Sequence, residues 1–103
     1  MRIMLACHAG ISTSMLVAKM KEAAAAEGKD DYKIWAVEQD RIEEEVGNFD
    51  ILMLGPQVRH IMKKVERIVG DKAPVVVINA MAYGRCDGAA ALKQAEDVLS
   101  GAK

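Results

Sequence analysis

The stretch Arg2-Ile3-Met4-Leu5-Ala6-Cys7-His8-Ala9-Gly10-Ile11-Ser12-Thr13-Ser14 decides how the rest of the chain is read. Its first half is an apolar run of strand length. Its second half is a polar, glycine-containing turn opening into a segment of helical period. A buried strand that ends in a thiol and hands over to a turn and a helix puts Cys7 at the carboxyl end of a sheet, where open parallel sheets bind ligands. The helix starts near Ser12 and points its unpaired backbone N–H groups back at the thiol. Those donors, with the positive end of the helix dipole, favour thiolate over thiol and suit a phosphate-like group held on it. Cys7 is the candidate nucleophile, and His8, Ala9, Gly10, Ile11, Ser12, Thr13 and Ser14 form the candidate anion-binding loop.

Outward from this unit, strand-length apolar runs alternate with helical segments. Arg2 to Ala6 is the first strand. The first helix runs from Ser12 to about Glu27, with Leu16, Met20 and Ala23 on one stripe and Gly28 as its stop. Lys33 to Glu38 is a more polar second strand, suited to a sheet edge. Asp40-Arg41-Ile42-Glu43 has the spacing of a capping box and opens a short helix that Gly47 closes. Asp50 to Leu54 is the third strand. A helix follows with Pro56 at its first position, Val58, Ile61, Met62, Val65, Ile68 and Val69 on its apolar side, and Gly70 at its end. Pro74 to Asn79 reads as a fourth strand buried on both faces. The last helix, about Gly88 to Leu99, turns Leu92, Ala95, Val98 and Leu99 inward. The expectation is a single α/β domain over residues 1–103, an open four-stranded parallel sheet with right-handed crossovers and helices on both faces.

Composition narrows the function. The net charge of -1 lacks the basic footprint that nucleic-acid binding requires. The longest apolar stretches, Ile51 to Leu54 and Val75 to Ala82, fall far short of the roughly 20 residues of a spanning helix, and the residues before Cys7 are too few for a signal-peptide core. A cytoplasmic location is expected. Cys7 and Cys86 belong to no C-x-x-C pair or metal-ligand cluster, and no cofactor motif is visible.

Three phosphate loops compete for the Cys7 site. A nucleotide P-loop needs G-x-x-x-x-G-K-[ST], and no Lys lies between Cys7 and Ser14. A cysteine phosphatase needs an arginine six positions after its nucleophile to neutralise the equatorial oxygens as charge develops; Thr13 stands there. The third is a site that accepts a phosphoryl group on sulfur and holds it, using backbone amides and the hydroxyls of Ser12, Thr13 and Ser14. A small cysteine phosphatase and a non-catalytic anion-binding domain remain the rivals of that carrier.

Cys7-x-Ala9-Gly10-x-Ser12-Thr13-Ser14 followed by Met15-Leu16, then Leu54-Gly55-Pro56-Gln57, then Tyr83-Gly84-x-x-Asp87-Gly88, resemble the IIB component of the lactose/cellobiose/chitobiose class of the bacterial sugar phosphotransferase system. The resemblance covers nearly the whole chain. It implies a fold related to the small tyrosine phosphatases, and a cysteine, Cys7, that takes a phosphoryl group from a histidine of the IIA component. That group then passes to a sugar entering through the membrane component IIC, so the protein would work in the cytoplasm and transiently at the inner face of the membrane. Gln57, Tyr83 and Asp87 are second-rank site candidates on the same sheet edge. Two positions depart from the family pattern: His8, where a small residue is usual, and Ile11, where Met is usual. His8 is read as an exposed loop residue, although a cation there would stabilise thiolate and phosphocysteine.

Elsewhere the plainer interpretations are favoured. Cys86 is expected to be a passive thiol, with an oxidised link to Cys7 as the sharper alternative. Arg59, Lys63 and Arg67, with His60 and Lys64 alongside, read as a solvated basic face rather than a docking surface for an acidic partner. The methionines, including Met15, Met20, Met53 and Met62, read mostly as core, and Tyr83 is divided between core and site.

Overall fold

The computed structural model describes residues 1–7 and 11–101, with the side chains of Ile11 and Ser12 left out. The strands are β1 (Arg2–Cys7), β2 (Lys33–Glu38), β3 (Ile51–Leu54) and β4 (Val75–Val77). They form one parallel sheet in the order β2-β1-β3-β4. The helices are α1 (Ile11–Ala26), α2 (Ile42–Glu45), α3 (Met62–Val69), α4 (Ala80–Gly84) and α5 (Gly88–Ser100), and 3-10 segments cover Gln39–Arg41 and Pro56–Ile61.

Alternation along the central strands divides the core in two. Ile3, Leu5, Ile51 and Met53 face Leu16, Met20 and Ala24 of α1 and Ala91, Leu92 and Ala95 of α5. Met4, Ala6, Leu52 and Leu54 face Ile42, Val58, Val65 and Val69. All eight strand side chains are fully buried, which is why β1 and β3 read as unbroken apolar runs. The outer strands β2 and β4 are only half covered.

Several expectations are corrected. The segment after β3 is not one helix: a 3-10 stretch led by Pro56 is interrupted at Val58 (φ -116°, ψ 18°), and α3 begins only at Met62. Asp40 forms no capping box. It sits inside the 3-10 turn that leaves β2, and α2 is a four-residue helix without a side-chain cap. β4 is three residues long and half-buried. It is short because Gln94 of α5 takes over the work of a neighbouring strand: its Nε2 donates to the Val77 carbonyl (2.9 Å) and its Oε1 accepts from the Asn79 N–H (2.8 Å). Asn79 then caps the unexpected helix α4, accepting from the N–H groups of Met81 and Ala82. Ala24 rather than Ala23 is the fully buried position on α1.

Candidate functional site

In the order β2-β1-β3-β4 the chain goes from β1 to one side and then returns to the other, so the switch point lies between β1 and β3. Open sheets of this kind bind ligands in the crevice at the carboxyl ends of those two strands. Cys7 is the last residue of β1, opposite Glu38 of β2, and its side chain is 1 % exposed. It falls in step with Ile3 and Leu5, on the face covered by α1 and α5. A thiol this deeply set can be reached only by a group that enters the crevice.

His8, Ala9 and Gly10 lie outside the described residues, as do the side chains of Ile11 and Ser12. The backbone of α1 begins at Ile11, so its first-turn N–H groups, which have no acceptor within the helix, lie just beyond Cys7 in the chain. Thr13, in that first turn, is fully buried, and its Oγ1 has no hydrogen-bond partner among the described residues. An unsatisfied buried hydroxyl costs about 1–3 kcal/mol, and a group that accepts its proton would recover that cost. Ser14 is exposed.

The other wall is built by the turn after β3. Gly55 donates its N–H to the Ala6 carbonyl (2.9 Å), which ties this turn to the residue before Cys7. A Cβ on Gly55 would lie 2.6 Å from Oε1 of Gln57 and 3.4 Å from the Cβ of Cys7. Only glycine leaves room for the Gln57 side chain to fold back beside the cysteine. Nε2 of Gln57 donates to the Tyr83 hydroxyl at 2.7 Å, so the loops after β3 and β4 are joined across the crevice. Gln57 and Tyr83 are therefore brought together beside Cys7.

Asp87 makes no hydrogen bond to either of them. Its carboxylate accepts from the Ala90 N–H (3.1 Å) and caps α5, a role readable from an Asp preceding a helical run. The neighbouring Gly88 is needed for packing, because a Cβ there would lie 2.2 Å from the Lys19 backbone carbon of α1. The glycine-containing motif after Tyr83 thus positions helices, and its Tyr83 bonds Gln57 beside Cys7. Among the described residues neither cysteine forms a disulfide. Cys86 is half-buried with a positive φ of 54°, and its N–H donates to the Tyr83 carbonyl (3.1 Å). Met15 and Met81 are each 61 % exposed, so the core assignment of Met15 is wrong: it falls between the buried residues Thr13 and Leu16, on the outer side of α1. Met20 and Met53 are core. Arg59, Lys63 and Arg67 are exposed along α3 and its lead-in, and none makes an ion pair with a described residue.

The described residues contain no group of three or more His, Cys, Asp or Glu side chains able to hold a metal ion, and no described helix is long and apolar enough to cross a membrane.

Comparison with known proteins follows from this geometry. Residues 2–94 match the family described as "PTS system, Lactose/Cellobiose specific IIB subunit". The chain is 41 % identical over 99 residues to the oligo-beta-mannoside-specific EIIB component of Bacillus subtilis (strain 168), with 95 % of each chain covered. It is also 41 % identical over 107 residues to the cellobiose-specific EIIB component of Lactococcus lactis subsp. lactis (strain IL1403), again with 95 % of each covered. Its fold matches the solution structure of the cellobiose-specific IIB component of Borrelia burgdorferi with a TM-score of 0.80 at 35 % identity, covering 98 % of this chain and 93 % of that one. The lactose-specific IIB domain of Streptococcus pneumoniae matches with a TM-score of 0.77 at 19 % identity, covering 94 % and 95 %.

Proposed function

This chain belongs to the lactose/cellobiose-specific IIB family of the sugar phosphotransferase system, a family of phosphotransferases, and on that premise we propose that it carries a phosphoryl group on Cys7. The thiolate attacks the phosphorus of a phosphohistidine on the IIA partner in line; the S–P bond forms and the N–P bond breaks, leaving the imidazole with the electron pair. In the second half, a sugar hydroxyl presented by the membrane component IIC attacks the same phosphorus. The O–P bond then forms, the S–P bond breaks with its electron pair staying on Cys7 as thiolate, and the hydroxyl proton passes to a phosphoryl oxygen. Residues 8–14 hold the phosphoryl oxygens between the two steps, with the first-turn N–H groups of α1 as donors.

The observation that carries this reading is the position of Cys7 at the switch point of the sheet, directly ahead of α1. Thr13 supports it in two ways. Its buried hydroxyl has a proton to offer, and a fully buried threonine at that position cannot supply the bidentate cation that hydrolysis of a phosphocysteine needs. A carrier therefore fits better than a phosphatase. The protein would act in the cytoplasm and at the inner face of the membrane, on a saccharide of the oligo-β-mannoside or cellobiose kind given by the relatives named above, or of the galactose kind named for a Lactococcus lactis relative 41 % identical over 107 residues.

The test is intact mass under non-acidic conditions, with wild type and Cys7→Ser incubated with phosphoenolpyruvate, the general phosphotransferase proteins and a IIA of this class. One phosphoryl group on wild type and none on a folded Cys7→Ser is the expected result. Equal labelling of both proteins would overturn the assignment.

A further inference from the structure

We propose that Gln57 orients the attacking sugar hydroxyl in the outgoing transfer and that this hydroxyl enters through a cavity beside it; the inference rests on the carrier role of Cys7. Oε1 of Gln57 lies against the open Cα face of Gly55, and the Cβ of Cys7 borders the same point. The amide is pinned there, since its Nε2 is committed to the Tyr83 hydroxyl at 2.7 Å, while Oε1 accepts no hydrogen bond from any described residue. Gln57 also lines a cavity of about 340 Å³ shared with Gln39, Val58 and His60. Gln57 therefore borders both the cysteine and this cavity.

The chemistry of the exposed atom selects its ligand. An amide oxygen offers only lone pairs, so it repels the oxygens of a phosphoryl dianion and is no part of their cradle. It attracts a donor. Among the described residues the cavity is lined by two amides, an imidazole and one aliphatic side chain, without a carboxylate, lysine or arginine. Its size falls at the low end of small-molecule sites, about 300–1,000 Å³. A neutral, hydroxyl-rich group suits that lining better than an anion. In the transfer, the hydroxyl donates to Gln57 Oε1 and its oxygen attacks phosphorus. The O–P bond forms, the S–P bond breaks with its electron pair staying on Cys7, and the hydroxyl proton passes to a phosphoryl oxygen, which keeps the total charge unchanged. Gln57 takes no proton; it fixes the direction of attack, as an orienting amide does in other phosphoryl transfers. Tyr83 is a positioning residue that acts through Gln57.

The experiment separates the two half-reactions. Wild type, Gln57→Ala and Tyr83→Phe are loaded from phosphorylated IIA, and the loading rate is read by intact mass. Each loaded protein is then mixed with membranes carrying a IIC of this class and with cellobiose, galactose or mannobiose, keeping the sugar that wild type phosphorylates. Gln57 is exposed, so Gln57→Ala should keep the wild-type melting temperature. The expected result is loading within about twofold of wild type and a fall of about tenfold or more in transfer to sugar, with Tyr83→Phe in between. Loading and transfer that fall together would place Gln57 in the phosphoryl cradle and overturn the proposal, as would transfer that does not fall. Wild type that loads but passes its phosphoryl group to no sugar would overturn it too. Wild type that fails to load at all would sink the carrier reading itself, and is distinguishable because no loading step is seen.

Discussion

The two ends of the sheet are held by different forces. At the amino end, long-range ion pairs close the structure. Arg2 bridges Asp50 at 2.9 Å across the starts of β1 and β3, and Lys29 and Tyr32, which precede β2, both bond to Glu96 on α5. Each partner responds electrostatically. The Arg2 hydrogen bond lowers the Asp50 pKa, and the Lys29 hydrogen bond lowers that of Glu96. At the carboxyl end, where Cys7 lies, the contacts described around Gly55 and Gln57 are of another kind. They include an amide on a phenol, a glycine approached by a side chain and, in the first turn of α1, a buried hydroxyl without a described partner. A site that receives and releases a phosphoryl dianion gains from this neutrality, because a fixed carboxylate would repel the group and a fixed arginine would hold or hydrolyse it.

Three substitutions bear on that contrast. Gly88→Ala should have the largest effect, since a Cβ 2.2 Å from the Lys19 backbone carbon must push α5 off α1; a loss of about 3 kcal/mol is expected in urea unfolding. A wild-type midpoint would mean that the site edge is not held by close helix packing. Thr13→Val should separate stability from function. Replacing the orphan hydroxyl with a methyl should raise stability by about 1 kcal/mol while slowing phosphoryl loading of Cys7. If stability falls, the hydroxyl is satisfied in the unliganded protein and is not reserved for the ligand. Glu96→Gln should have the smallest effect, a drop of a few degrees in melting temperature with loading unchanged. Its pH dependence follows from the shifts. The Glu96 pKa is depressed, so its contribution is present above the ordinary value of 4.5 and lost as the pH falls; the Lys29 pKa is raised, so that contribution is present below 10.5 and lost only as the pH rises further. The difference between wild type and variant should be full between those values and vanish in acid. A difference that persists in acid would mean that the Glu96 contacts act through packing rather than charge.

The two ends also differ in how far they could be read beforehand. The strand, thiol and helix unit at Cys7 is local, so the β1 and α1 assignments hold to within a residue at most boundaries. β2 is the edge strand its polarity suggested. The helix ahead of Gly70 is shorter than its period predicts because Val58 satisfies the apolar period while its backbone leaves the helical region: period reports which side chains are buried, not which carbonyl each N–H finds. β4 was drawn too long because its valines resemble a central strand, whereas the sheet ends there and Gln94 completes its hydrogen bonds. Met15 lies one residue before the buried Leu16, and its exposure depends on which side of α1 meets the sheet.

By itself the sequence determined the alternation of strands and helices, the placement of Cys7 ahead of α1 and the absence of a phosphatase arginine at Thr13, because these depend on hydrophobic period, turn chemistry and residue type over short spans. The tertiary structure alone decided that Gln57 and Tyr83 meet beside Cys7 while Asp87 caps α5, that Gly55 and Gly88 stand where a Cβ would collide, and that the long-range ion pairs Arg2–Asp50 and Lys29–Glu96 lie at the far end. Those outcomes depend on contacts between residues 15 to 69 positions apart, and such contacts follow from the strand order and the packing of α1 and α5, which no local pattern encodes.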